Sequence, residues 1–484
     1  MNEDVRMNVN KLWNSVAVLI AAGLALSITG GCMVGPEYHP PQPAAVPPAW
    51  SGVSKLPADQ PSMATAQPAD LVQWWRQFND PILNELVEEA VKTNLDLQIA
   101  GTRLRQARAL RGIAVGGLLP SVAASAGYQR LHTATTNNST EDLYQAGLDA
   151  VWELDMFGGI RRNVESAGAN IQAAIENMRD VQVSLIAEVA LDYTQLRGFQ
   201  QQIVIAQNNL KAQRHTADIT HKLLSVGFAS ALDAANADSA VATTEAQIPV
   251  FETSAQQSIY ALSVLLAQPP AALLDKLSPA GSLPRVPAKI PAGLPSELLR
   301  RRPDIRESEA QLHAATAQIG VAVAQLFPSF SLTGTVNWNS NLLRTWWTDS
   351  SRSFSFGPSV NWPVFQGGAT ISNVRLQEAL RDQAFITYQK TVLAAFQDVE
   401  NALIAFRKEQ EHHKSINDAV IANQKAVDLS LQLYTEGQIP FLNVLVAELS
   451  LYTSENALVQ SESNITIDLI ALYKALGGGW ESMP

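Results

Sequence analysis

The residue types that could carry out a reaction are few in this chain, and their spacing does not assemble a site. His412 and His413 are adjacent, so on a helix they cannot face one metal as an i, i+4 pair would; they read as solvent or seam residues. Gly477-Gly478-Gly479 lacks the Lys and Ser/Thr that a phosphate loop places next, and neither HExxH nor GxSxG occurs. No enzyme, resident metal or soluble cofactor is expected. The one thiol is Cys32, which excludes an internal disulfide and a cysteine-based metal site.

What surrounds Cys32 makes it informative. Arg6 and Lys11 precede an apolar run over 16–26, and the small residues Thr29-Gly30-Gly31 follow, as in a secretory signal. The run is shorter than the ~20 apolar residues a spanning helix needs. Residues 1–31 are therefore read as a signal peptide, with Met7 an alternative start because Glu3 and Asp4 interrupt the basic segment. A cysteine directly after such a signal resembles the bacterial lipoprotein site, which makes Cys32 the expected lipid attachment point. Thr29 stands where an aliphatic residue is usual there, and a plain signal peptide remains the alternative.

Of the 484 residues, 46% are apolar and only 16% charged, which suits closely packed helices with a polar surface. The net charge of −11 and the lack of a basic stripe with interleaved aromatics give no reason to expect a nucleic-acid partner.

The elements that organise the chain are two very long helices. Phe385, Val392, Val399, Phe406, His413, Val420, Val427 and Tyr434 fall on one heptad stripe, and no Pro or Gly interrupts 369–436. Val189, Leu196, Ile203, Leu210, Ala217 and Leu224 form a second stripe within 160–226. Features recur at an offset of about 208 to 210 residues. Asn94-Leu95-Asp96-Leu97 answers Arg302-Pro303-Asp304-Ile305, and Leu119-Pro120-Ser121 answers Phe327-Pro328-Ser329. Trp152 with Gly158-Gly159 answers Trp362 with Gly367-Gly368, and Leu224, Gly227, Leu232, Asp233 and Ala237 answer Tyr434, Gly437, Leu442, Asn443 and Ala447. Ordered matches of this kind mean duplication. The expected organisation is a Pro-rich tether over 32–72, a first repeat over 73–267, a linker over 268–295, a second repeat over 296–476 and a tail over 477–484. In the first repeat one apolar helical face is expected to run unbroken from Asp80-Pro81 to about Val115.

Between the short and long helices the period changes to two. Strands are expected over about 119–131, 144–157, 328–340 and 352–365, each with one apolar and one polar face and aromatics near the ends. That is what an outer-membrane barrel strand requires, although a soluble sandwich shows the same alternation. Four strands cannot close a pore, so several chains would have to share one barrel. The fold class expected is mainly α with transmembrane β.

These features together resemble the TolC/OprM-like outer-membrane efflux proteins, in particular the NodT-type lipoprotein branch. The resemblance rests on Val34-Gly35-Pro36-Glu37-Tyr38, Trp74-Trp75 with Phe78 and Asp80-Pro81, Arg301-Arg302-Pro303-Asp304-Ile305, Phe365-Gln366-Gly367-Gly368 and Leu472-Tyr473-Lys474-Ala475-Leu476-Gly477-Gly478-Gly479-Trp480. It implies a homotrimer with a 12-stranded barrel in the outer membrane, a helical tunnel in the periplasm, a lipid on Cys32, and two partners: a periplasmic adaptor and an inner-membrane pump. It further implies that the turns at Gly227 and Gly437 meet the adaptor and that the helix after Gly437 narrows the tunnel. Asn443 and Val446 stand where the family often has aspartates, so no acidic ring is expected there. Leu442, with Val446 behind it, is the expected apolar constriction, and Tyr434 and Asp233 match positions that bond neighbouring helices in the closed state. Ordinary packing of Leu442 and Val446 in a coil seam is the competing expectation, and an exported coiled-coil interaction protein is the competing function.

Overall fold

A computed structural model describes residues 33–41, 46–51, 62–65, 71–133 and 139–482. The signal segment and Cys32 lie outside the described residues. In chain order the elements are β1 Met63–Thr65, α1 Pro81–Thr93, α2 Leu95–Gly116, β2 Ser121–Thr133, β3 Ser139–Leu154, α3 Gly159–Ser225 and α4 Ala231–Leu265. There follow α5 Leu274–Leu277, β4 Lys289–Pro291, α6 Pro295–Arg301, α7 Pro303–Ala324, β5 Ser329–Ser340, β6 Arg352–Asn361, α8 Ala369–Thr435 and α9 Phe441–Ala475.

The duplication is visible atom by atom. Trp152 Nε1 donates to the Leu118 carbonyl (3.0 Å), and its counterpart Trp362 Nε1 donates to the Leu326 carbonyl (3.1 Å). Asn94 Nδ2 donates to the Leu265 carbonyl and Arg302 Nη1 to the Ala475 carbonyl, so the residue at each short-helix break holds the end of the returning helix of its own repeat. Asn94 also corrects the expectation of one unbroken helix. Its backbone leaves the helical region (φ −56°, ψ 134°) and its side chain accepts from Leu97 N–H, ending α1 and starting α2.

The compact units do not follow the repeats. Of the described residues, one unit takes 33–41, 103–133, 139–175 and 307–388, and the other takes 46–51, 62–65, 71–102, 176–306 and 389–482. A helix of 67 residues, as α3 and α8 both are, is too long to be buried in one compact body, so each repeat contributes to both units.

The first unit contains one antiparallel sheet in the order β2-β3-β5-β6. β3 begins at Ser139, earlier than hydropathy places it, because the polar stretch 139–143 pairs with 129–133 through the main chain. β6 stops at Asn361, and Pro363 just beyond it has no N–H to continue a ladder.

The second unit is built round an aromatic cluster. Trp74 stacks on Tyr473 with ring centroids 5.0 Å apart, and Phe78 meets both rings edge-on. Asp80 caps α1 by accepting from Ile82 and Leu83 N–H and accepts from Tyr193 Oη at 2.8 Å, fixing the short helix to α3. Two expected irregular segments are partly ordered. β1, within the tether, pairs in parallel with β4, within the linker, and Trp50 is buried with Nε1 donating to the Gly293 carbonyl.

Candidate channel site: an apolar sheet face and two glycine turns

The register of the sheet decides what its faces are. Val122 pairs with Ala150, Ala150 with Gly334 and Gly334 with Phe356; the next row is Ala124, Leu148, Val336 and Phe354. All are the apolar members of their alternations, so four strands read separately agree in phase. A slip of one residue at any pair would have mixed the faces. Ser125, Gly147, Asn337 and Ser353 form a row of the opposite, polar face.

No second layer covers the apolar face among the described residues: Val122, Phe354, Phe356 and Val360 are 67%, 63%, 71% and 60% exposed. Near one end aromatics gather, with Tyr128, Tyr144, Trp346 and Trp347 linked by successive ring contacts of 5.1, 5.8 and 5.0 Å. At the other end stand Trp152 and Trp362, tied down through their indole N–H groups. An apolar band between two aromatic girdles is what a bilayer demands of a strand's outer face. No helix among the described residues is long and apolar enough to cross a membrane.

In the second unit each long helix turns back at a glycine. Gly227 (φ 82°) and Gly437 (φ 75°) are in the left-handed region, where a side chain costs ~1–2 kcal/mol. Gly227 N–H donates to Leu224 and Phe228 N–H to Leu223; Gly437 N–H donates to Tyr434 and Gln438 N–H to Leu433. Both are the same double-bonded C-cap, which satisfies carbonyls the helix end leaves open.

Of the residues expected at a constriction, the structure brings some together and separates others. Tyr434 is buried with Phe441, Val444, Ala217 and Ala237, and its ring lies 5.4 Å from Phe441. Its hydroxyl is buried and has no partner among the described residues. Asp233 does not reach Tyr434. Its carboxylate accepts from Ser230 N–H and Oγ–H, while Ser230 Oγ accepts from Asp233 N–H, a capping box that starts α4. The interhelical bond expected of this pair is therefore not made within one chain.

α9 divides cleanly into two faces. Phe441, Val444, Glu448 and Leu451 are buried, whereas Leu442, Val446 and Leu449 are 58%, 54% and 60% exposed and Asn443 is exposed beside them. Leu442 and Val446 are thus not seam residues within the chain. Behind them lies a feature that hydropathy does not show. Glu448 Oε1 accepts from Thr216 Oγ1–H at 2.6 Å, and one heptad away on both antiparallel helices Glu455 Oε2 accepts from Asn209 Nδ2 at 2.5 Å. Burial pushes the Glu448 carboxyl above its ordinary range, partly offset by the Thr216 hydroxyl.

Among the described residues no group of His, Cys, Asp and Glu has a metal-binding arrangement. An uncovered apolar sheet face with aromatics at both ends is what a strand in a membrane requires, and comparison with known proteins points the same way. The profile described as outer membrane efflux protein matches residues 86–268 and 294–478. The chain belongs to that family. Nodulation protein T of Rhizobium leguminosarum bv. viciae is 32% identical over 461 residues, covering 95% of this chain and 93% of the relative. The pyoverdine export outer membrane protein OpmQ of Pseudomonas aeruginosa is 34% identical over 428 residues, covering 86% and 89%. The solved structure of the outer-membrane channel OprN superposes with a TM-score of 0.85 at 36% identity, covering 93% of this chain and all of that one. The channel is an outer-membrane component of efflux, and its uncovered apolar sheet face has the pattern that a lipid-facing surface requires.

Proposed function

We propose that three copies of the channel each supply four strands to one barrel and that the long helices continue it as a tunnel in the periplasm. The observation that carries this is the phase-matched apolar face on a sheet whose outer strands, β2 and β6, have no partner among the described residues. Four strands about 4.8 Å apart make far too little perimeter for a pore, and an unpaired edge in lipid leaves main-chain groups without hydrogen bonds. Copies of the same chain supply both the perimeter and the missing partners.

The tunnel is a passive conduit. An inner-membrane pump provides energy and selects cargo, and a periplasmic adaptor meets the turns at Gly227 and Gly437. A lipid on Cys32 adds membrane affinity without a further span. The exposed stripe of Leu442 and Val446, with Asn443 beside it, supports an apolar constriction that closes by contact and dewetting, and Tyr434 and Asp233 brace the turns behind it. Electron imaging of the detergent-extracted protein tests the reading: threefold particles with a barrel and a tapering tube are expected, and monomeric or compact particles would refute it.

A further inference from the structure

Within the second unit, Gly477-Gly478-Gly479-Trp480 carries the chain out of α9 and onto α3. α9 ends in the same cap as its duplicate α4. Gly477 N–H donates to Lys474 and Gly478 N–H to Tyr473, as Ala267 N–H donates to Val264 and Gln268 N–H to Ser263; Gly477 (φ 69°) and Ala267 (φ 57°) are both left-handed. Beyond the cap the repeats part. Pro269 leads the first into the linker, whereas in the second the path is too narrow for a side chain. A Cβ on Gly478 would meet Leu71 Cβ and Trp74 Cδ1 at 3.0 Å, and one on Gly479 would meet Ile186 Cδ1 at 3.0 Å.

The tail then fastens to three helices. Gln182, buried on α3, donates through Nε2 to the Gly479 carbonyl (3.0 Å). Two guanidinium groups lie over the Trp480 ring, that of Arg179 on α3 at 4.3 Å and that of Arg306 on α7 at 5.4 Å from its centroid. Both also reach one oxygen of a buried carboxylate, Glu176 Oε1, at 2.7 and 2.8 Å. Glu481 meets Arg301, the last residue of α6, at 2.8 Å. Two cations this close repel each other, and the carboxylate and the electron-rich ring face together offset that. A helix of the first repeat is thus tied to two helices of the second through the tail.

The duplication shows that this fastening is not a by-product of the repeated fold. On α8 the counterparts of Glu176, Arg179 and Gln182 are Ile386, Gln389 and Val392, and on α2 the counterpart of Arg306 is Gln98. Those residue types supply neither the carboxylate nor the cations.

We propose that residues 477–481 are a strap that fixes one end of α3 to the second repeat, so that α3 and α9 are held together at 176–186 and flex only toward their turns. The strap lies within one chain and works in the same way however copies share a barrel. From Arg179 to Ser225 is roughly 70 Å of helix at 1.5 Å per residue, so a tilt of about 5° at the strap carries the turn by about 6 Å.

The test is hydrogen exchange of the full chain extracted in detergent from outer membranes, followed by peptide. In the parent, amides over 176–186 should exchange most slowly in α3 and those toward 225 faster. Trp480→Ala should speed 176–186 and 301–306 together by about tenfold, the loss expected of two partly desolvated cation–π contacts, and flatten that gradient while the sheet is unchanged. Trp480→Phe, which keeps a ring, should lie between. No gradient in the parent, or parent-like exchange in Trp480→Ala, overturns the strap. A rise spread equally over sheet and helices overturns it too, because Trp480 then serves the whole fold. If Trp480→Ala does not fold, Trp480→Phe is compared with Trp480→Leu, which keeps apolar bulk without a ring: slower exchange at both peptides in the Phe variant supports the strap, and equal exchange overturns it.

Discussion

Leu442→Ala separates a constriction from a packing residue by magnitude. Full burial of a leucine side chain contributes ~1.5–3 kcal/mol, and Leu442 is 58% exposed in the single chain, so closing the tunnel over it contributes roughly 1–1.5 kcal/mol per copy. Truncation to alanine removes most of that at three sites at once, on the order of 2–3 kcal/mol in the balance between closed and open tunnel. At about 1.4 kcal/mol per tenfold, the closed form loses roughly 30- to 100-fold. Because the side chain is exposed, the fold itself loses no more than about 0.5 kcal/mol, a change expected of surface positions. Conductance in planar bilayers and sensitivity of cells to vancomycin, which an intact outer membrane excludes, should both rise while the trimer and its unfolding midpoint persist. Unchanged conductance in an intact trimer would refute the constriction, and a fall of several degrees in midpoint would assign Leu442 to packing instead.

Two further outcomes follow from a buried and a partly buried carboxyl in the second unit. Thr216→Val leaves Glu448 without the hydroxyl that donates to it, at a cost of ~1–3 kcal/mol; thermal unfolding should drop more at pH 8 than at pH 5, because protonation removes the unpaired charge, and Glu448→Gln in the same chain should restore most of the loss. An equal drop at both pH values would show that the carboxylate is not what Thr216 serves. Asp468 is pushed from 3.8 up to about 6 by burial and then by the charge of Glu409. The folded form therefore holds this proton more tightly than the unfolded one, so the contribution to stability is greatest below the ordinary carboxylate value and is lost as pH rises through about 6. Asp468→Asn should be more stable than the parent at pH 7.5 and converge with it at pH 4; a difference independent of pH would contradict the burial argument.

The parts of the channel set by local pattern were legible in the sequence. Heptad stripes give α3 and α8, the second running without Pro or Gly, and alternation in four stretches gives the sheet and the orientation of its faces. What local pattern misses is decided by partners far along the chain. The polar start of β3 carries no alternation and is a strand only because 129–133 lies beside it. Asn94 reads as one more residue in an apolar helical face until its side chain is seen holding Leu97 N–H and the Leu265 carbonyl. Trp50 lies in a segment whose composition says tether, and its burial depends on a carbonyl at Gly293. Leu442 and Val446 were legible only as positions, because both stay exposed within the chain and nothing local to them says what they meet.

The duplication also explains where the second repeat keeps its carboxylates. Asp238 and Glu245 on α4 answer Glu448 and Glu455 on α9. In the first repeat both are satisfied inside their own hairpin, Asp238 by His221 (2.9 Å) and Glu245 by Arg214 (3.0 Å), at exposed sites. The counterparts of His221 and Arg214 on α8 are Leu431 and Gln424, so the second hairpin offers no basic side chain at either place. Glu448 and Glu455 turn instead to neutral donors on α3, and the second hairpin itself is joined by Asn423 to Ser450 and Ser454. Near its turn the hairpin that carries Leu442 is thus bound by hydrogen bonds to the first repeat and by neutral groups within itself, whereas farther from the turn Glu409 accepts from Ser461 Oγ–H and His413 meets Glu462. Exposed ion pairs are worth ~0–1 kcal/mol, whereas a buried carboxylate that loses its donor costs more, so the α3–α9 layers resist separation more than the tip of either hairpin does. Movement that opens the proposed constriction without breaking those layers has to carry α3 and α9 together.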